Sequence, residues 1–380
     1  MGNSKRVCIL TSFVALGSRV FYKIAMTLAK ADYQVMLIAP HDKHDIVNGV
    51  RIIALPEPKN RSQRMLKTNF QILKLALKHR AHVYHFNQPE LIPVGIILKL
   101  MKKGKIIYEV LEDFPNVVER TVWIPVHFRP LIKSLMKFTE QFSSKFFDAL
   151  VFPTEGLSQN FPKAQRKCVL TNFPIIFHRD LCINIDKDLR SIKKKFDIIH
   201  LGTISPFRLE FMIEVGRLIK QKIGNFKWLF LGISKDSIEW ARQVMKDELF
   251  KNFYFKEQVP YSEVPKYILM SKVGFNYHPY EPRFNVAIPV KIFEYMYFGL
   301  PVVSTALPEL AKYLNGEEVG FLLKNNDTHL FAQTVVRLIS DEKLARKLGT
   351  NGRRLILEKY NWDSVSHRLL ELYSDLLKEG

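Results

Sequence analysis

The chain has 380 residues, 47% hydrophobic and 25% charged, with 57 Lys+Arg against 37 Asp+Glu and a formal net charge of +20. Such a length exceeds what one core ordinarily serves, so two domains are expected, and the composition excludes a disordered chain. The charge is uneven: residues 1–180 carry 27 Lys+Arg against 13 Asp+Glu, and residues 181–380 carry 30 against 24. A basic first half suits nucleic acid, an anionic membrane face or phosphorylated substrates, or is a solvated Lys-rich surface.

Met1 to Arg6 is polar and "VCIL" is short for a leader's apolar core, so no secretory signal is expected. No window approaches the roughly 18 apolar residues of a spanning helix. Cys8, Cys168 and Cys182 are scattered, without metal-ligand spacing, and read as buried thiols of a cytoplasmic protein.

"RVCILTSF" (6–13) opens as a strand, followed by a helix over about 19–30. Strands follow at 33–40 and 49–56, then a basic helix at about 61–80. "AHVYHFN" (81–87) and "KIIYEV" (105–110) are strands around a helix at 89–103. A long helix fits about 129–147, and "DALVFPT" (148–154) and "KCVLTNFP" (167–174) close the half. The polar stretch 175–196 reads as a linker. A second alternation follows: strands at 196–203, 226–234, 252–259, 273–279, 301–305 and 320–324, with helices at 208–222, 236–247, 262–270, 289–298 and 308–314, then helices to the end. Alternation of this kind predicts two parallel, doubly wound α/β domains, with ligands at the C-terminal strand edges of a cleft. Neither G-x-G-x-x-G nor G-x-x-x-x-G-K-[ST] is present, so dehydrogenase-type dinucleotide binding and P-loop chemistry are set aside.

"PVKIFEYMYFGLPVV" (289–303) places one acid, Glu294, in a short apolar helix that stops at Gly299. Phe293, Met296 and Tyr297 look core-facing, so the carboxylate needs a partner. The local candidate is Lys291, three residues back. The other reading is a carboxylate that accepts hydrogen bonds from ligand hydroxyls.

This block, with "VPYSEVPKYILMSKVGFNYHP" and "HLGTISPFR", resembles GT-B-fold, nucleotide-sugar-dependent glycosyltransferases of the family-4 type. "SRVFYKIAMTLAKADYQVMLIAP", "HVYHFNQPELIPVG", "IIYEVLEDFPN", "VLTNFP" and the closing "NWDSVSHRLLELYSDLL" resemble stretches of the same branch in the same order, so the likeness spans almost the whole chain. It implies an N-terminal acceptor domain at 1–180, a nucleotide-sugar domain at 195–360, and a terminal helix at 361–380 that crosses back to the first. It implies that Glu294 accepts from the donor's ribose hydroxyls and that Val259 sits in the base-reading loop. The backbone of Asn285, Val286, Ala287 and Ile288, up to Val290, would meet the diphosphate at a helix N-terminus. Arg208 and Lys291 would supply cations, with Thr203 beside them. The departures are also clear. The earlier Glu of an E-x7-E pattern is replaced by Val286, Thr203 stands where an Arg is usual, and His is absent from "HFNQP" and "YEVLED".

The implied reaction moves a sugar from a UDP- or GDP-sugar to a saccharide acceptor, with retention and without a metal or other cofactor. Arg208, Lys291 and the helix amides carry the leaving diphosphate's charge. Asp186-Lys187-Asp188, the only D-x-D, falls in the linker and reads as solvated charge. An inverting enzyme would need a base, with Glu112, Asp113 or His85 as candidates; the plainer readings are surface charge or a helix cap for the two acids and a hydrogen-bonded strand histidine for His85. Arg19 joins His85 on the acceptor side. Residues 119–147 are basic and aromatic, with Trp123, Phe128, Leu131, Leu135 and Phe138 on one face. That suits an interfacial helix on the inner leaflet and a lipid-linked acceptor of bacterial surface polysaccharide assembly, or else plain domain packing. The rival readings are a nucleotide-sugar 2-epimerase and a non-catalytic GT-B subunit that binds a partner transferase. No nucleic acid partner is expected, because no motif for one is present.

Overall fold

The computed structural model describes residues 5–119, 121, 123–176, 192–245, 247–324 and 327–378. Cys182 and the Asp186–Asp188 triplet lie outside the described residues. The chain forms two compact units, one of Met1–Ile175 with Trp362–Gly380, the other of Ile176–Asn361.

The first unit is built on an eight-stranded sheet ordered β3-β4-β2-β1-β5-β6-β7-β8. Its strands are β1 (Arg6–Leu10), β2 (Gln34–Pro40), β3 (Asp45–Val47), β4 (Val50–Leu55), β5 (Val83–Phe86), β6 (Lys105–Glu109), β7 (Ala149–Phe152) and β8 (Lys167–Val169). All pair in parallel except β3, which runs antiparallel to β4. That edge strand corrects the all-parallel expectation. Its hairpin turns on Asn48 (φ 49°) and Gly49 (φ 79°), a left-handed pair suited to a two-residue turn. The central strands are mostly apolar, as strands of a buried parallel sheet are, with His85 in β5 and Glu109 in β6 as buried polar exceptions.

The basic helical run from Arg61 to Lys78 contains a π-helical stretch, Arg64–Thr68. Asn69 explains the widened turn: its amide donates to the Met65 carbonyl (2.9 Å) and to the Glu90 carbonyl (2.8 Å). The helix Asp363–Lys378 completes this unit. At its start the Trp362 backbone N–H donates to the Pro174 carbonyl (2.8 Å) and the indole N–H donates to Thr27 Oγ1 (2.8 Å).

The second unit holds a six-stranded parallel sheet ordered β11-β10-β9-β12-β13-β14. Its strands are β9 (Phe196–Leu201), β10 (Trp228–Leu231), β11 (Phe253–Lys256), β12 (Ser271–Asn276), β13 (Val302–Thr305) and β14 (Gly320–Leu323). The core is aromatic: the Trp228 ring stacks on Phe230 (5.2 Å between centroids) and on Phe253 (5.6 Å), and meets Phe275 edge-on. Strand order reverses direction between β9 and β12, which opens a crevice at their carboxyl ends.

No described helix is long and apolar enough to cross a membrane. Cys8 is buried and Cys168 half-buried, both as free thiols.

Candidate functional site

The second unit gathers its polar groups at this crevice. From β9 the chain turns through Gly202, at φ 87°, and enters the helix Pro206–Ile223. From β12 it passes a short helix, Pro282–Asn285, to the helix Val290–Tyr297. Tyr295 anchors that second helix to both strands. Its hydroxyl accepts from the Leu201 backbone N–H (2.9 Å) and donates to the Phe275 carbonyl (3.4 Å). Gly274 makes room for the ring: a Cβ there would stand 2.3 Å from Tyr295 Cδ2. The close approach brings Lys291 and Glu294, on the same helix, up to the strand ends.

Arg208, in the first turn of the helix after β9, is buried. Its Nε donates to the Tyr277 carbonyl (2.9 Å), while Nη2 is buried with no hydrogen-bond partner among the described residues. Such a donor is costly unless a ligand completes it. Burial, and then the neighbouring Arg283, pull its pKa down to about 10. The Lys291 ammonium lies over Gly202, where a Cβ would stand 3.6 Å from Nζ. Burial lowers the Lys291 pKa to about 7; Arg208 adds to the drop, and Glu294 opposes it without winning. Two histidines join the group, His200 and His278. Burial, with Lys291 and Arg208 as neighbours, holds both well below the usual imidazole range, so both stay neutral. His200 Nε2 and His278 Nδ1 are likewise buried without a hydrogen-bond partner. The pocket therefore presents cations and orphan polar nitrogens with too little negative charge to balance them. Its chemistry calls for an anion.

The Glu294 carboxylate accepts a hydrogen bond from the Tyr261 hydroxyl (3.1 Å), a partner that the helix pattern alone did not name. Tyr261 opens a short 3-10 turn, Tyr261–Glu263, just after the half-buried Val259. Thr203 is exposed beside Gly202. Arg283 and Glu281, also unforeseen, pair at 3.1 Å at the start of the short helix Pro282–Asn285.

The expected row of amides from Val286 to Val290 needs correction. Asn285 ends the short helix and Val286 caps it. The Ala287 amide is spent on the Phe284 carbonyl (3.2 Å), and Pro289 has no N–H. The first-turn amides of the helix are those of Val290 and Lys291, with Ile288 preceding its Pro289 cap.

In the first unit the expected site residues are engaged internally. Arg19 is buried, with Nη2 2.6 Å from Glu109 Oε1 and donating to the Leu170 carbonyl (2.9 Å), and its guanidinium lies 5.1 Å from the Trp362 ring. His85 is buried in β5 with Nδ1 2.8 Å from the Tyr373 hydroxyl, and burial drops its pKa to about 4. Arg19 Nη1 and His85 Nε2 are nevertheless buried without a hydrogen-bond partner among the described residues. Asp113 caps the helix Phe114–Val118, accepting from the Asn116 backbone N–H (3.4 Å) and from its side-chain amide (2.7 Å). Neighbouring Glu112 is exposed. His85 lies within electrostatic reach of Glu109 and Arg19, which act on it in opposite directions. Among the described residues no cluster of three His, Cys, Asp or Glu forms a metal site.

Residues 183–355 match the family model described as glycosyl transferases group 1. The chain is 23% identical over 217 residues to the poly(ribitol-phosphate) alpha-N-acetylglucosaminyltransferase of Staphylococcus aureus (strain COL), covering 56% of this chain and 42% of that protein. It thus aligns with less than half of that relative's length. Sucrose-phosphate synthase from Thermosynechococcus elongatus superposes with a TM-score of 0.75 at 17% identity, over 99% of this chain and 100% of that one. Anabaena HepE in complex with UDP and glucose superposes with a TM-score of 0.70 at 13% identity, over 98% and 100%. The two parallel-sheet units have the GT-B fold.

Proposed function

Taking residues 183–355 as a group 1 glycosyltransferase domain, we propose that the chain is a hexosyltransferase. It moves a sugar from a nucleotide-diphosphate sugar to a saccharide acceptor in cell-surface polysaccharide synthesis. The observation that carries this reading is the pocket at the β9–β12 switch, where Arg208 and Lys291 lack sufficient counter-charge and Glu294 stands on the same helix as Lys291. The UDP and glucose bound to Anabaena HepE, a solved structure of like fold, support the donor class.

In the proposed mechanism Glu294, with Tyr261 holding one oxygen, accepts from the ribose hydroxyls. Arg208 Nη2 and Lys291 Nζ take the diphosphate oxygens, satisfying an orphan donor and raising the Lys291 pKa. As the glycosidic bond breaks, negative charge grows on the leaving diphosphate, and these fixed cations stabilise it more than the ground state. The cations fill the role that a metal has elsewhere, so the reaction is metal-independent. The acceptor hydroxyl attacks from the donor's own face with retention, and its proton passes to the leaving phosphate. The acceptor is lipid-linked, which places the protein at the inner face of the membrane.

A second reading, a nucleotide-binding subunit without transfer, draws on the internal engagement of His85 and Asp113. One experiment separates the readings. UDP, GDP and their sugars are titrated by calorimetry into the wild type and into Glu294→Ala, and release of free nucleotide is followed in the presence of membrane extract. The transferase reading expects binding that Glu294→Ala weakens by roughly tenfold or more, together with acceptor-dependent nucleotide release. Binding without release favours the subunit. Absence of nucleotide binding, or binding indifferent to Glu294→Ala, refutes both.

A further inference from the structure

The helix Arg129–Ser143 is mounted with its apolar stripe outward. Leu131, Leu135, Phe138 and Phe142 follow the four-three-four spacing of one helical face and are 66%, 60%, 65% and 46% exposed. The inward side carries Glu140 instead, buried and accepting from the Tyr108 hydroxyl (2.9 Å). The Phe138 and Phe142 rings stack at 5.8 Å, so the stripe is a continuous surface. A second exposed apolar segment lies on the same unit. Arg61, at the start of the basic helical run, stacks on Trp123 (4.4 Å to the ring centroid), and Leu66 and Phe70 further along that run are 75% and 66% exposed. A soluble surface rarely leaves so many large apolar groups together.

We propose that this face of the first unit docks on an anionic lipid leaflet, with the aromatic and leucine side chains entering the headgroup–acyl boundary. Charge selects this occupant. Residues 61–80 contain Arg61, Arg64, Lys67, Lys74, Lys78 and Arg80 and no Asp or Glu, Arg64 among them pairing with Glu90 (3.1 Å); Lys137 on the outward helix and Lys145 just past its end stand exposed. A second copy of the chain would bring like charge to like charge, whereas an anionic leaflet supplies the opposite sign. Arg and Lys flanking Trp, Phe and Leu match a helix lying in the membrane plane. The inference deepens the reading of a lipid-linked acceptor, yet its test needs no donor, acceptor or activity.

The full chain is sedimented with vesicles of phosphatidylcholine alone, or mixed with phosphatidylglycerol, at low and high salt. The expected result is roughly tenfold or greater preference for the anionic vesicles, lost at high salt. The double variants Leu135→Gln/Phe138→Gln and Leu66→Gln/Phe70→Gln should each cut binding by a similar factor, while their melting temperatures stay at or above that of the wild type. Equal binding to both vesicle types, or variants that bind as well as the wild type, overturns the proposal. So does light scattering that shows a dimer in wild-type protein and monomers in the variants, with no vesicle binding by either. If vesicles bind but nucleotides do not, the transferase reading falls and this one stands.

Discussion

Donor affinity measured against pH tests the cationic pocket through Lys291. In the free protein burial and Arg208 hold this ammonium at about 7, against an ordinary 10.5. A bound diphosphate brings negative charge to Nζ and pulls the pKa back up. Binding then takes up a proton wherever the free protein has lost it and the complex has kept it. If the complex regains an ordinary lysine pKa, affinity is near its plateau at about pH 6 and ~15-fold weaker at pH 8.5 than at pH 7. The assay is calorimetry with a nucleotide sugar, whose diphosphate does not titrate in this range, in buffers of different ionisation enthalpy. Proton uptake should approach one per donor near pH 8.5. Lys291→Met should flatten the profile and weaken binding at neutral pH. The same variant should raise the melting temperature of the ligand-free protein at pH 6. The sign follows from the folded pKa lying below the unfolded one: this group's contribution to stability rises with pH from about 7 to 10.5 and its penalty is full below that window. A pH-independent affinity, or an unchanged slope in Lys291→Met, refutes the reasoning.

Three other outcomes are expected. Tyr261→Phe removes the hydrogen bond to Glu294; donor KM should rise about threefold to tenfold with kcat little altered, and steady-state kinetics showing the reverse split would contradict a positioning role. Arg19→Ala strands the Glu109 carboxylate inside the first unit; urea unfolding should lose about 3–5 kcal/mol while donor affinity holds, and a fully stable variant with impaired transfer would return Arg19 to the acceptor side. Gly274→Ala drives a methyl group into the Tyr295 ring; a stability cost of about 1–3 kcal/mol and weaker nucleotide binding should appear together, and calorimetry showing neither would deny that helix Val290–Tyr297 is set by this contact.

The sheet strands were legible because buried parallel strands are short apolar runs: "CIL", "LIA", "IIY", "ALVF" and "WLFL" all fall in strands. The antiparallel edge strand β3 was missed because "HDKHDIV" is polar, although Asn48-Gly49 was a turn signal in plain view. Arg208, Lys291 and Glu294 could be picked out from local pattern and resemblance: Arg208 lies on the helix that follows β9, and Lys291 and Glu294 lie on a helix reached from β12 through the short helix Pro282–Asn285. Tyr261 could not be assigned its bond to Glu294, because 33 residues separate the two. The positions of Arg19, His85 and Asp113 were readable, and their partners were not. Glu109, Tyr373 and Asn116 are reached through tertiary packing or a local cap, and an acidic or imidazole side chain on a strand end looks alike whether it faces a substrate or a neighbour.

Trp362 and the helix after it belong to the first unit, although the entire second unit intervenes in the chain. The helix Asp363–Lys378 is therefore synthesised only after the whole second unit. While the ribosome is still making the second unit, β1 to β8 lack the indole that covers Arg19 and Lys23 and the tyrosine whose hydroxyl meets His85 Nδ1. The second unit's residues, Ile176–Asn361, are thus all in the chain before the helix that closes the first unit.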